Sequence, residues 1–144
     1  MRNIKGAVVH HSAGVDRDSM QASDIWRYHT QHRGWRHIGY HKLIEQVDGH
    51  YVAIDGRPLR WEGAHAPPLN FSHLGLCFVG DFTDKAPSDT ALNLGAEVLA
   101  DWAVLFGWDD IDAAILPHKA VKATACPGDS FPFRKLIQLV KERL

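Results

Sequence analysis

A chain of 144 residues with 45% hydrophobic and 23% charged side chains has the make-up of an ordinary globular protein, long enough to bury roughly 70% of its unfolded surface in one domain. Its 16 Lys and Arg face 17 Asp and Glu, so no net field draws nucleic acid or an acidic membrane, and no apolar run approaches the length of a membrane span. Ten histidines, several in close pairs, favour metal or proton chemistry, whereas the two cysteines are too few for a disulfide framework.

One domain over residues 1–144 is expected, since no repeat, linker or composition break interrupts the chain. The N-terminal Met-Arg-Asn-Ile-Lys-Gly lacks the apolar segment and cleavage site of a signal peptide. The expectation is synthesis in the cytoplasm, with action outside it depending on release by another agent. Residues 4–9 are a β-branched run ending at His10, the first strand. Residues 20–32 have helical spacing, with Ile25, Trp26 and His29 on one face and Gly34 as the stop. Residues 40–47 and 51–54 flank Asp48-Gly49, a strong hairpin signal. Residues 74–79 form an uninterrupted apolar run, a central strand in which Cys77 acts as a small hydrophobe. A second helix is capped by Ser88, carries Ala91, Gly95, Val98, Trp102 and Leu105 on one face, and closes at Gly107. Ile115-Leu116 is a short last strand, and a third helix starts near Pro132 with Phe133, Leu136, Ile137 and Val140 on one side. Trp26, Trp102, Phe133 and Leu136 are expected in the core. This order gives an α/β fold, a mixed central sheet packed by about three helices.

The chemistry concentrates in His118-Lys-Ala-Val-Lys-Ala-Thr-Ala-Cys126. Imidazole and thiolate make a zinc-type ligand set, and a catalytic zinc takes three protein ligands with one position left for water. The strand end Val-Val-His10-His-Ser-Ala offers the third. The same residues also fit a buried thiol beside two unrelated polar histidines.

Taken in order, Val8-Val-His-His-Ser-Ala13, Gly34-Trp-Arg-His-Ile-Gly-Tyr-His41, Asp48-Gly49, Asp55-Gly-Arg57, Gly63-Ala-His-Ala66, Leu74-Gly-Leu-Cys-Phe-Val-Gly-Asp-Phe82 and Cys126-Pro-Gly-Asp129 resemble the zinc N-acetylmuramoyl-L-alanine amidases, a family of short phage lysins and peptidoglycan recognition proteins. The resemblance implies that family's fold, a zinc cofactor on His10, His118 and Cys126, and His11 as a non-ligand. It implies Tyr40 as the active-site tyrosine and puts Thr124 where the lysins have a lysine; Lys122 is not the match. It puts His65 and Asn70 along the substrate groove, and His37 where an acidic residue is usual; Trp35, beside Gly34, fits either stacking on the ligand or plugging the core. No carboxylate falls on a general-base position. The implied activity is hydrolysis of the amide between N-acetylmuramic acid and L-alanine in peptidoglycan or a muropeptide, by a monomer, as in a phage or prophage endolysin. The alternatives are a cytosolic amidase recycling muropeptides, a peptidoglycan-binding protein without catalysis, and a closed structural zinc site with His11 as fourth ligand.

Overall fold

The computed structural model describes residues 2–13 and 21–144. Five strands form one mixed sheet in the order β3-β2-β4-β1-β5, built from β1 (Gly6–His11), β2 (Lys42–Val47), β3 (His50–Asp55), β4 (His73–Phe78) and β5 (Ile115–Pro117). The helices are α1 (Ala22–Arg27), α2 (Asp89–Phe106), α3 (Ile111–Ala114) and α4 (Phe133–Glu142). α3 is one short turn, too brief to leave a periodic pattern, which is why about three helices were expected and four α-helices are seen among the described residues.

β1 runs parallel to β4 on one side and β5 on the other, and β2 runs parallel to β4. The antiparallel hairpin β2–β3 turns at Asp48-Gly49, where φ is 50° and 78°; two successive left-handed residues give the twist that flanking strands need. β1 and β4 are buried along their whole length, as parallel strands covered on both faces must be.

Alternation along these strands divides the interior. Ala7, Val9, Leu74, Leu76 and Phe78 join Leu92, Leu99, Trp102 and Leu136 in the main core beneath α2 and α4. Ser88 caps α2 by accepting the Ala91 N–H at 3.1 Å, and Gly107 ends it with φ 69°. A Cβ on Gly95 would lie 2.3 Å from Phe78 Cζ, so this helix reaches the sheet at a residue without a side chain. The opposite face holds a smaller cluster of Ala22, Ile38, Leu43, Cys77 and Val79 beneath α1.

The first helix departs from its expected form. Of residues 20–32, Met20 lies outside the described residues; the regular part is α1, followed by a π-helical turn, Tyr28–His32. The wider turn changes the angular spacing of the side chains. His29 is buried, while Trp26 is 44% exposed rather than in the core. Leu105, expected on the inner face of α2, is 64% exposed, although the next residue, Phe106, packs against the core. Trp102 and Leu136 are buried, and Phe133 is half-buried. Both cysteines are free thiols.

Candidate metal centre and groove

The thinly covered face of the sheet carries the site. His10 lies near the C-terminal end of β1, and His118 follows the last residue of β5, which pairs with Val9. Cys126 returns over both, its carbonyl accepting the Lys119 N–H at 2.8 Å to close the intervening loop. One donor atom from each of His10, His118 and Cys126 lies within 4.8 Å of the others. The two imidazole centroids are 4.4 Å apart, and Cys126 Sγ is 3.8 Å from His10 Nδ1.

Strand alternation separates His10 from His11. The His11 ring points to the other face, where its Nδ1 accepts the Phe82 N–H at 3.2 Å. Its backbone N–H donates to Cys126 Sγ at 3.3 Å, so His11 supports the thiol through its main chain.

The donor set fits a zinc-type ion. Burial holds His10 well below the usual histidine range, and nearby His65 and His118 press the same way; His118 is lowered by burial and then by the charge of Lys122. Both rings therefore keep a lone pair for coordination. Burial pushes the Cys126 thiol up to about 11, with the His11 N–H pulling against it, so ionisation here needs a cation close by. Among the described residues, His118 Nε2 is a buried polar atom without a hydrogen-bond partner, and metal ligation is one standard fate of such an atom.

Tyr40 borders this cluster, its ring centroid 5.1 Å from that of His10. Burial raises its phenol well above the usual range, and the neighbouring thiols Cys77 and Cys126 raise it further. The group stays protonated at neutral pH and acts as a donor; its side-chain partner here is Cys77. Thr124 is half-buried, and its hydroxyl oxygen accepts the Cys126 N–H at 3.2 Å, leaving its own proton free to donate.

A groove of about 430 Å³ opens beside the cluster, bounded by Tyr40, Trp35, His65 and Asn70 and also by His29, Arg33 and Lys122. Trp35 is half-buried against His29, with ring centroids 4.6 Å apart and the Arg33 guanidinium 5.4 Å from its own ring. Asn70 Oδ1 accepts the N–H groups of His65 and Ala66, both at 2.8 Å. His37 lies away from the groove and receives the Ile38 N–H on its own Nδ1. A larger depression of about 630 Å³ between β5 and α4 does not touch the cluster.

The groove thus carries two cations and a histidine that were not picked out as site residues. Arg33 precedes the Gly34-Trp35 pair, and Lys122 lies between His118 and Cys126, so adjacency to motif residues was the available signal. For His29 the only signal was helical spacing, which the π turn disturbs.

The fold is that of an α/β protein with three side chains that could hold a metal ion at the C-terminal edge of parallel strands, beside an open groove. Residues 1–129 match the N-acetylmuramoyl-L-alanine amidase family, and the chain belongs to it. It is similar to the human N-acetylmuramoyl-L-alanine amidase, 38% identical over 104 residues, which are 72% of this chain and 18% of that protein. Among solved structures it is similar to the N-acetylmuramoyl-L-alanine amidase LysC from Clostridium intestinale URNW (TM-score 0.82, 28% identity, covering 97% of this chain and 87% of that one). It is also similar to a peptidoglycan recognition protein-LE in complex with tracheal cytotoxin, a monomeric diaminopimelic acid-type peptidoglycan (TM-score 0.78, 25% identity, covering 94% and 80%). The chain spans between 17% and 21% of the length of the mammalian amidases it matches.

Proposed function

We propose that this chain is a zinc-dependent amidase that hydrolyses the bond between the N-acetylmuramic acid lactyl group and L-alanine of peptidoglycan, acting on the cell wall after release in the manner of a phage or prophage endolysin. The observation that carries the reading is the convergence of His10, His118 and Cys126 donor atoms within 4.8 Å of one another, beside a groove of about 430 Å³ that Tyr40 and His65 border. The cysteine favours catalysis over binding alone, because a thiolate with two neutral imidazoles is a zinc ligand set that leaves a position for water.

Zinc held by these three residues would supply a Lewis acid for the scissile carbonyl and bring the pKa of a bound water to about 7. The remaining work falls to the chain's own groups. His10 and His118 stay neutral because both are desolvated. The His11 N–H holds the Cys126 sulfur in place. Tyr40 keeps its proton and can donate it as a hydrogen bond to negative charge developing on the carbonyl oxygen, exchanging Cys77 for the substrate. The Thr124 hydroxyl can give a second bond from the other side of the loop. Such preorganised donors are among the larger contributions to amide hydrolysis, about 3–4 kcal/mol for one well-placed group. Lys122 and Arg33 give the groove a positive lining suited to the carboxylates of a peptide stem.

The test is to incubate the zinc-loaded protein with purified peptidoglycan, with and without chelator, and to assay new L-alanine amino termini beside reducing sugar ends. Amino termini that vanish with chelator are expected, as is loss of activity in Cys126→Ala and Tyr40→Phe with zinc retained in His11→Ala. Reducing ends alone would reject amidase chemistry, and wall binding without either product would favour a recognition role. Faster cleavage of soluble muropeptides than of intact wall would favour a recycling enzyme over an endolysin.

A further inference from the structure

We infer that His65 is a positioning residue for the metal centre, which sets the tautomer of His10 so that His10 Nδ1 presents its lone pair to the ion. The inference rests on the zinc reading above and assigns His65 a role toward the ligand rather than toward substrate.

The chain of hydrogen bonds leaves one arrangement of protons. His65 Nε2 lies 3.1 Å from the His73 carbonyl oxygen. A carbonyl can only accept, so the proton is on His65 Nε2. Burial of the two touching imidazoles keeps His65 neutral, and its Nδ1 is therefore an acceptor. His10 Nε2 lies 2.9 Å from that Nδ1 and must be the donor. With its proton on Nε2, His10 has a free lone pair on Nδ1, the atom 3.8 Å from Cys126 Sγ and on the side of the cluster. Metal-bound histidines commonly hand their second N–H to a carboxylate or carbonyl; here an imidazole takes that place and passes the bond on to the backbone of β4.

The surroundings hold His65 in position from several sides. A Cβ on Gly75 would lie 2.8 Å from His65 Cγ, and one on Gly63 would lie 2.6 Å from His65 Cδ2, so two glycines leave a slot that the ring fills. Asn70 Oδ1 fixes the backbone on either side of the ring by accepting from His65 and Ala66. With both ring nitrogens engaged inside the protein, a hydrogen bond from the His65 ring to substrate would break the chain that orients His10.

Two measurements test this. Two-bond 15N–1H correlation spectra of the metal-free wild-type protein read the His10 tautomer directly; the Nε2–H form is expected, and the Nδ1–H form would overturn the inference without any variant. Zinc affinity is then measured by competition with a chromophoric chelator for wild type, His65→Leu and His65→Gln, with circular dichroism of the metal-free forms as the check on folding. His65→Leu should bind zinc roughly 10- to 100-fold more weakly, the range typical for loss of an outer-sphere partner. His65→Gln should recover most of that loss, because its amide can accept from His10 and donate to the His73 carbonyl. Wild-type zinc affinity in His65→Leu, with weakened retention on peptidoglycan instead, would overturn the inference and leave the amidase reading intact. Tight zinc binding by wild type with no release of alanine amino termini would reject the amidase reading and leave the role of His65 standing.

Discussion

Acidifying the metal-free protein from pH 7 to pH 5 should weaken the fold through His29 and His41. Burial is the main cause that pushes each down to about 4 from 6.5; Arg33 and Arg57 add to it at His29, and Arg2 and Arg57 at His41, where the Trp61 carbonyl pulls the other way. Geometry agrees, since Nδ1 of each ring accepts a backbone N–H at 3.0 Å, from Gly39 to His29 and from Gly75 to His41. A proton on either Nδ1 would break a bond and strand a buried donor. Both folded values lie below the unfolded one, so between pH 6.5 and 4 the unfolded chain binds more protons. Stability is therefore complete above about pH 6.5 and falls as the pH drops toward 4. At pH 5 each group removes about 2 kcal/mol, a large share of a typical 5–15 kcal/mol. His29 contributes the smaller part, because it borders the wet groove. Urea unfolding at pH 7, 6 and 5 in the presence of chelator measures the effect, and a paired His29→Gln/His41→Gln variant isolates it from the other buried histidines, which shift with the same sign. Equal unfolding midpoints for wild type at pH 7 and pH 5 would refute the reasoning.

Gly95→Ala places a methyl group where Phe78 Cζ would be 2.3 Å away; overpacking should lower stability by about 1–3 kcal/mol, visible as a lower melting temperature with zinc uptake unchanged. Glu45→Gln weakens the bond in which the buried Glu45 carboxylate accepts the Ala22 N–H at 2.6 Å, so α1 should lose about 1 kcal/mol of local protection. Hydrogen exchange at Ala22 checks this, and unchanged exchange would exclude the carboxylate as the anchor of that helix. Lys122→Ala should weaken binding to wall fragments most at low ionic strength, with the difference from wild type shrinking as salt rises; a salt-independent defect would show that the side chain acts by packing.

Local chemistry carried most of the fold into the sequence. The Asp48-Gly49 turn, the Ser88 cap, the Gly107 stop and the apolar run of β4 each depend on a few adjacent residues, and each appears where those residues stand. The misses concern which side of a helix the rest of the fold covers, which neighbouring residues do not dictate: Trp26 is exposed within α1, and Leu105 is exposed although Phe106 beside it packs on the core. The site follows the same division. The pair His118 and Cys126 is close in sequence and legible there, whereas the hydrogen bonds joining His65 to His10 and His73 cross loops that no spacing rule describes. His65 and Asn70, expected along the groove, do line it, yet the polar atoms of theirs described above are turned to the protein's own groups.

What unites residues so far apart is parallel pairing. Val9 is level with Pro117 and His10 with Cys77, so β1, β4 and β5 end within two residues of one another, and side chains at or just past their carboxyl ends share one edge, the usual ligand position of parallel α/β sheets. Register also decides which histidine serves. Slipping β1 by one residue would turn His10 toward the main core and present His11 to the groove. Ala7 and Val9 would then leave the packing beneath α2, where both are fully buried, and that apolar loss opposes the slip. The histidine that joins the cluster is thus chosen by the hydrophobic residues that precede it: His10 and His11 are the same side chain, and Ala7 and Val9 determine which of them meets Cys126 and His118.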